Sequence, residues 1–478
     1  MGLLLMVYGC SRNDPPPSFS SRSVAGEEPS APHQPATGCR GCHPLALDER
    51  HDFPCQDCHL GDGNASEQKA AHGGLIPQPA HPDRMSRFCG RCHGSIVEQV
   101  SASIHYTSAK EVNLVRQAFG NIKPLASLTA IPQEAVVPVS PGQLVDDLLR
   151  RRCLRCHVYS SGEAYPATRH GTGCAACHLG FVGGSLADHS FIARPSDQQC
   201  LGCHYGNRVG ADYYGRFEHD LNWEYRTPLY AGEEKREPYG LGYHQLAPDL
   251  HQQAGMVCID CHGAGELMAG TESLSCRSCH DGALAQGEGP VSKRDGRREL
   301  LLSCGKVVAV PVMADPAHAR YGHKVGCQVC HGQWAFADYG THLIRMDDPD
   351  YEPWQSLTRQ GSAEIETRLE TALFVDGGES EAIMDDGITG ASSPGVWLLA
   401  YERRRWEDIN TCLDRHGTLQ VCRPILDLHL SYRKADGELV FDAITPDRGT
   451  PAMTPYTPHT TGKAGAFYLQ RLKNVELP

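Results

Sequence analysis

The chain has 478 residues, with 44 Lys and Arg against 57 Asp and Glu, a formal net charge of −13. That balance argues against nucleic acid as a partner, and the length allows two or three domains. Gly (50) and Pro (32) are frequent and only 7% of residues are aromatic, so loops are many and core volume is short, while 22 Cys and 25 His stand out in excess.

The chain opens MGLLLMVYGCSRND, with an apolar run from Leu3 to Val7 ahead of Cys10. This resembles a bacterial lipoprotein signal, with 1–9 as the signal segment and Cys10 as the lipidated residue. No basic residues precede the run and the run is short, so translation is expected to start upstream. Ser11, rather than Asp, follows Cys10, which favours the outer membrane. No other segment reaches the roughly 18 apolar residues of a membrane span. Residues 10–38, rich in Pro and Ser (PPPSFSSRS, EEPSAPHQP), read as a flexible tether in which His33 is simply solvated.

From residue 39 one unit recurs. CRGCH (Cys39, Cys42, His43), CQDCH (Cys55, Cys58, His59) and CGRCH (Cys89, Cys92, His93) lie in a first segment, 39–110. CLRCH (Cys153, Cys156, His157), CAACH (Cys174, Cys177, His178), CLGCH (Cys200, Cys203, His204), CIDCH (Cys258, Cys261, His262), CRSCH (Cys276, Cys279, His280) and CQVCH (Cys327, Cys330, His331) lie in a second, 149–345. These nine copies use 18 of the 22 cysteines; chance at this composition gives about 0.05 copies. Cys-x-x-Cys-His is the pattern of covalent haem attachment. Two thiols form thioethers to the porphyrin, and the adjacent imidazole becomes the proximal iron ligand. A disulfide framework does not call for a His after every second Cys, and zinc sites pair C-x-x-C with a second ligand pair. Nine haem c groups are therefore expected. First cysteines are 16, 34, 64, 21, 26, 58, 18 and 51 residues apart, with no solenoid period.

Full bis-His ligation needs nine more imidazoles. The two segments hold twelve outside the motifs: His51, His72, His81, His105, His170, His189, His219, His244, His251, His318, His323 and His342. His51, His170 and His323 each stand four residues before a motif. The attachment loop hugs the proximal face of its own haem, so these three are expected to serve neighbouring haems. His105 ends SIVEQVSASIH, where Ile96, Val97, Val100 and Ile104 form a helical stripe. At most two of His219, His244 and His251 are expected to be ligands.

Between the segments, 111–148 is a haem-free insertion whose stretch AFGNIKPLASLTAIPQEAVVPVSPG reads as a packed loop. Beyond 346 no motif occurs. Ile365, Leu369 and Leu373 fall at helical spacing. In PILDLHLSYR, Leu426, Leu428, Leu430 and Tyr432 alternate with Asp427, His429 and Ser431, and an Ala-Asp-Gly-Glu turn leads into LVFDAI, a hairpin signal. Residues 346–478 therefore read as a small β-rich domain, with His429 on its solvated face. Cys412 and Cys422 are positioned for a disulfide, and Cys304 is expected to stay free.

Nine such motifs behind a lipoprotein-like signal resemble the multihaem c-type cytochromes of metal-respiring bacteria. YHQLAPDLHQQAGMVCIDCHG is similar to a block of such proteins in which two His precede a haem motif. PYTPHTTGKAGAF resembles a family segment, Pro-His-Thr-Thr followed by a haem motif; here the motif is absent and AFYLQRLKN stands in its place, so His459 is kept only as a candidate ligand from outside the haem segments. The likeness covers 39–345 well and the tail poorly. It implies bis-His haems, a periplasmic or surface location and electron transfer. The fold expected is a mostly irregular and α, haem-packed architecture of short helices and loops with the β-rich tail. The function expected is an electron carrier rather than an enzyme, lipid-anchored at the outer membrane. Its partners would be other cytochromes or an outer-membrane barrel. Alternatives are a terminal oxyanion reductase (selenite, tellurite, nitrite or tetrathionate) with one open iron, and a homo-oligomeric filament or conduit subunit. Nine haems within a radius of gyration of about 23 Å would lie close enough for tunnelling.

Overall fold

The computed structural model describes residues 38–473 except 46, 122, 134–136, 164, 207–208, 219–241, 272–273, 282–289, 349–381, 448–452 and 465–467. The signal segment, Cys10, His33, His219 and the 365–373 stripe lie outside the described residues.

The motifs fold as single tight turns. The His N–H returns to the carbonyl of the first Cys in His43→Cys39 (2.9 Å), His59→Cys55 (2.8 Å), His93→Cys89 (2.9 Å), His204→Cys200 (2.9 Å) and His262→Cys258 (2.9 Å). That bond is one i→i−4 helical closure. It gathers two thiols and one imidazole within a single turn, which is why the three-residue spacing recurs.

The expectation of a mostly irregular and α architecture with strands only in the tail is corrected. Of the described residues, 31% are helical and 22% are in strands, and only three helices reach seven residues. These are α1 (Gly90–Ser101), α2 (Ala109–Ala118) and α3 (Pro141–Leu148). Strands also run between motifs: Arg216–Glu218 pairs with Tyr243–Gln245, and Val291–Arg294, Arg297–Leu301 and Val307–Ala309 form a three-stranded sheet. The physical reason is that the Cys-x-x-Cys-His turns are too short to build helices, so the long intervals between them close on themselves by hairpins.

The largest sheet has four strands: β1 (Ala337–Met346), β2 (Val396–Arg405), β3 (Leu428–Arg433) and β4 (Leu439–Ile444). Its order is β2-β1-β3-β4, with β1 and β3 parallel and the other pairs antiparallel. The β3–β4 hairpin is the one read from PILDLHLSYR, with Gly437 at φ 83° in its turn. One face buries Leu343, Trp397, Leu430 and Tyr432 against Val112, Leu144, Val145 and Leu148. The insertion thus supplies this face with two helices around a loop. Ser140 caps α3 by accepting from the Gln143 N–H at 3.3 Å, and Pro141 follows at the first helical position, where its missing donor costs nothing. After the third motif, Val97 and Val100 are buried but Ile96 and Ile104 are exposed, because the helix stops at Ser101 and His105 rides on a separate turn, Ile104–Thr107.

A second core joins Leu201, Tyr205, Phe217 and Tyr243 to Val325, Trp334 and Phe336, and both to Leu419, Val421 and Tyr456. Cys412 and Cys422 are disulfide-bonded across the adjacent hairpin Asn410–Leu413/Leu419–Arg423, a closure contributing about 2–3 kcal/mol. Cys304 is disulfide-bonded, which corrects the expectation of a free thiol: its sulfur is taken up in a bridge.

Beneath this core Arg404, 1% exposed, lies 3.1 Å from Glu218 and 3.2 Å from Asp338. Removing the guanidinium leaves two carboxylates facing each other in a water-poor setting. Arg404→Ala is expected to cost about 3–5 kcal/mol, read as a lowered urea midpoint at unchanged slope.

Candidate haem centres

Among the described residues, six motif histidines face a histidine from outside the motifs. The ring-centre separations are 6.0 Å for His43–His72, 6.2 Å for His93–His51, 6.1 Å for His59–His189, 5.9 Å for His280–His251, 6.1 Å for His262–His459 and 6.0 Å for His331–His318. A metal–imidazole bond of about 2.0 Å plus about 1.1 Å from nitrogen to ring centre puts two axial imidazoles on one ion about 6 Å apart. Ordinary ring packing spans about 4.5–7 Å; the clustering of all six pairs within 5.9–6.2 Å is what matches a shared ion. The planes meet at angles from 1° to 56°, as rotation about a shared axis allows.

In seven of the histidines the Nδ1 atom is engaged elsewhere, which leaves Nε2 for a metal. His59 Nδ1 bonds the Ile76 carbonyl (2.8 Å), His178 that of Ile192 (2.7 Å), His280 that of Pro311 (2.9 Å) and His331 that of Gly462 (3.0 Å). Three others meet carboxylates: His51 with Asp48 at 2.9 Å, His251 with Asp249 at 2.7 Å and His262 with Glu266 at 3.1 Å. Burial works against the Asp249 carboxylate. The ring of His251 and the N–H groups of His251 and Thr461 outweigh it and hold its pKa below the ordinary value.

Local structure delivers each partner imidazole. Asp249 caps the turn Leu250–Ala254 through the His251 N–H, and Asp315 caps Pro316–Tyr321 through the Ala317 N–H, so both histidines fall in a first turn of fixed direction. Leu47 bridges to His189, and the Phe191 N–H donates to Asp48 at 3.0 Å. One crossing thereby aims His51 at the third motif and His189 at the second. His51 faces the histidine of a motif other than the one it precedes.

The segment 456–462 acts as a clamp. The His459 N–H donates to buried Asp212 (2.8 Å) and the Thr461 N–H to Asp249 (2.6 Å), while the Gly462 N–H bonds the carbonyl of His331 (2.8 Å). A single strap therefore fixes the surroundings of His262, His251 and His331 together.

The other candidates are placed differently. His157 is buried, its pKa pushed down to about 4 by burial and then by the charge of nearby His105. His170 shares a cleft with Ala176 and Gly202 of two successive motifs, and its Nε2 lies 3.5 Å from Cys203 Sγ. His81 abuts the turn at Gly173, beside the Cys174 motif. His244, fully buried, packs its ring against Phe217 in the core that holds Leu201 and Tyr205. His323 is exposed: the turn that leads into the ninth motif directs His318, not His323, toward His331. His342 meets His429 rather than a motif histidine.

The motif thiols approach one another in pairs. Cys39 and Cys55, Cys89 and Cys174, Cys200 and Cys258, and Cys276 and Cys327 are each within hydrogen-bonding reach. Cys58 senses Cys92, Cys177 senses Cys200 and Cys261 senses Cys279. Cys203 Sγ lies 2.9 Å from the Cys156 carbonyl. In spatial order the motifs run first, second, third, fifth, sixth, seventh, eighth, ninth, with the fourth beside the sixth.

What sequence reasoning missed is the set of groups behind the ligands: Asp48, Asp249, Glu266 and Asp212. Asp48 and Asp249 stand three and two residues before a histidine, and Glu266 four after one, so a search for carboxylates near each histidine would have found them. No helix among the described residues is long and apolar enough to cross a membrane. Comparison with family models, with curated proteins and with solved structures finds no match to this chain.

Proposed function

We propose that the chain is an electron-transfer protein that holds nine covalent haem c groups and relays electrons along them. The observation that carries this reading is the six motif-to-partner histidine pairs, all 5.9–6.2 Å apart, the spacing of two axial imidazoles on one iron. Haem c, when bound, supplies a one-electron iron couple. The chain does the rest. Each turn would present two thiols for thioether bonds, each paired imidazole would hold the iron with its motif histidine, and the carboxylates behind the rings would raise their basicity. At the six paired motifs two facing imidazoles would leave no place for a substrate, which favours a relay over a reductase at those centres. The thiol-to-thiol contacts support one continuous line from the Cys39 motif to the Cys327 motif. The same reading has Cys10 lipidated and the protein exported to the outer membrane; the Cys412–Cys422 bridge is in keeping with an oxidising compartment.

Haem stoichiometry tests it. A pyridine haemochrome assay per polypeptide, together with intact mass, is expected to give nine haems in protein matured by a cytochrome c assembly system. Seven or fewer would mean that some motifs are decoys and that the line is broken.

A further inference from the structure

The sheet carries a group that the haem reading does not use. His342 on β1 and His429 on β3 are directly in register across the parallel pair, on the face turned away from Trp397 and Tyr432. Their rings stack with centres 4.5 Å apart and planes 21° apart. No ion fits between them as it would in the six wider pairs, so a shared ligand has to sit at the ring edges. There Glu402 of β2 reaches over, its Oε1 3.0 Å from His342 Nε2.

The backbone makes room for this carboxylate. Position 340 faces Glu402 across the strands, and a Cβ there would lie 2.4 Å from Glu402 Cδ. Gly340 also takes φ +59°, the left-handed region that glycine enters without cost. On the far side, His429 Nε2 lies 3.6 Å from Asp427, whose other oxygen accepts the Gly340 N–H at 2.6 Å. Two imidazoles thus lie among two carboxylates, a set with net negative charge when the rings are neutral.

We propose that His342, His429 and Glu402 form a binding site for one divalent transition-metal ion, Zn2+ in the first instance, that ties together three strands of the sheet. One donor atom from each residue lies within 4.8 Å of the others. Tetrahedral zinc at about 2.0–2.1 Å from nitrogen or oxygen needs donors about 3.4 Å apart. Side-chain rotation closes that gap, since His342 is 36% exposed and Glu402 63%. Imidazole and carboxylate donors suit zinc and its neighbours and do not suit Mg2+ or Ca2+, which take oxygen alone. Three protein donors leave a fourth position for water or for a ligand carried by a partner.

The test is zinc binding to the haem-loaded full chain, by isothermal titration and by equilibrium dialysis with elemental analysis. Wild type is expected to bind one Zn2+ that His342→Ala, His429→Ala and Glu402→Gln each weaken by at least tenfold, with Mg2+ not competing. Unchanged haem spectra and far-ultraviolet circular dichroism in these variants would keep any loss local. His323→Ala, at an exposed histidine elsewhere, is expected to leave that ion in place. Zinc uptake identical in wild type and the three variants, or no uptake at tens of micromolar Zn2+, would overturn the proposal and leave the trio as a surface ion pair beside stacked rings.

Discussion

Replacing His459 by Ala is expected to leave nine haems attached and to give the protein one new high-spin signal with carbon monoxide binding. The ring of His459 stands 6.1 Å from that of His262 and has no other histidine as near a neighbour among the described residues. The strap that carries it is held by main-chain groups, the His459 N–H on Asp212 and the Thr461 N–H on Asp249. These bonds survive loss of the imidazole, so the variant should keep its shape and lose one axial ligand. Electron paramagnetic resonance of the oxidised protein and a carbon monoxide difference spectrum of the reduced protein read the outcome. His51→Ala is expected to act likewise through His93, and His323→Ala to be silent. Identical spectra for wild type and His459→Ala would remove His459 from the ligand set. Carbon monoxide binding by the untouched protein would instead mean an open iron, and would move the reading toward an oxyanion reductase.

How far the sequence carried these sites depended on the range of the forces involved. The motif turns were legible because a Cys-x-x-Cys-His spacing is satisfied locally by a single helical closure. The β3–β4 hairpin was legible for a similar reason: period-two alternation and an Asp-Gly turn act within twenty residues. Partner histidines were legible only as a pool. Which of them meets which motif is decided by long-range contacts, such as Leu47 with His189, that no spacing encodes. His323 shows the limit of the four-residue rule, since Asp315 caps a turn that commits His318 instead. The strands between motifs carry a weaker signal. In SKRDGRREL, Asp295 and Gly296 take φ 49° and 75°, the two left-handed positions of a tight hairpin turn, and charged residues on both flanks masked the alternation. The trio at His342 could not be read at all, because β1 and β3 are about ninety residues apart in the chain and meet only through a parallel pairing.

Asp249→Asn is expected to raise the reduction potential of one centre, the one that His251 and His280 hold, by about 60–120 mV. The carboxylate is 2% exposed. One oxygen accepts from the His251 ring at 2.7 Å and from the His251 N–H at 2.8 Å, and the other accepts from the Thr461 N–H at 2.6 Å. A buried negative charge against Nδ1 makes the imidazole a stronger donor and favours the more positive iron state. Asparagine keeps the size and one acceptor but removes the charge. If its loss changes the preference for oxidised over reduced iron by about 10–100-fold, the shift follows at 59 mV per decade for one electron. Exposure sets the order of the related changes. Asp48→Asn behind His51, with that carboxylate side chain 22% exposed, should shift less. Glu266→Gln behind His262, with 26% and 40% exposure for the pair, should shift least, because water already screens the charge. Spectroelectrochemical titration of wild type and the three variants checks the ranking. A titration curve for Asp249→Asn that overlays wild type would mean that Asp249 only caps its helix and leaves the ligand's electronic character alone.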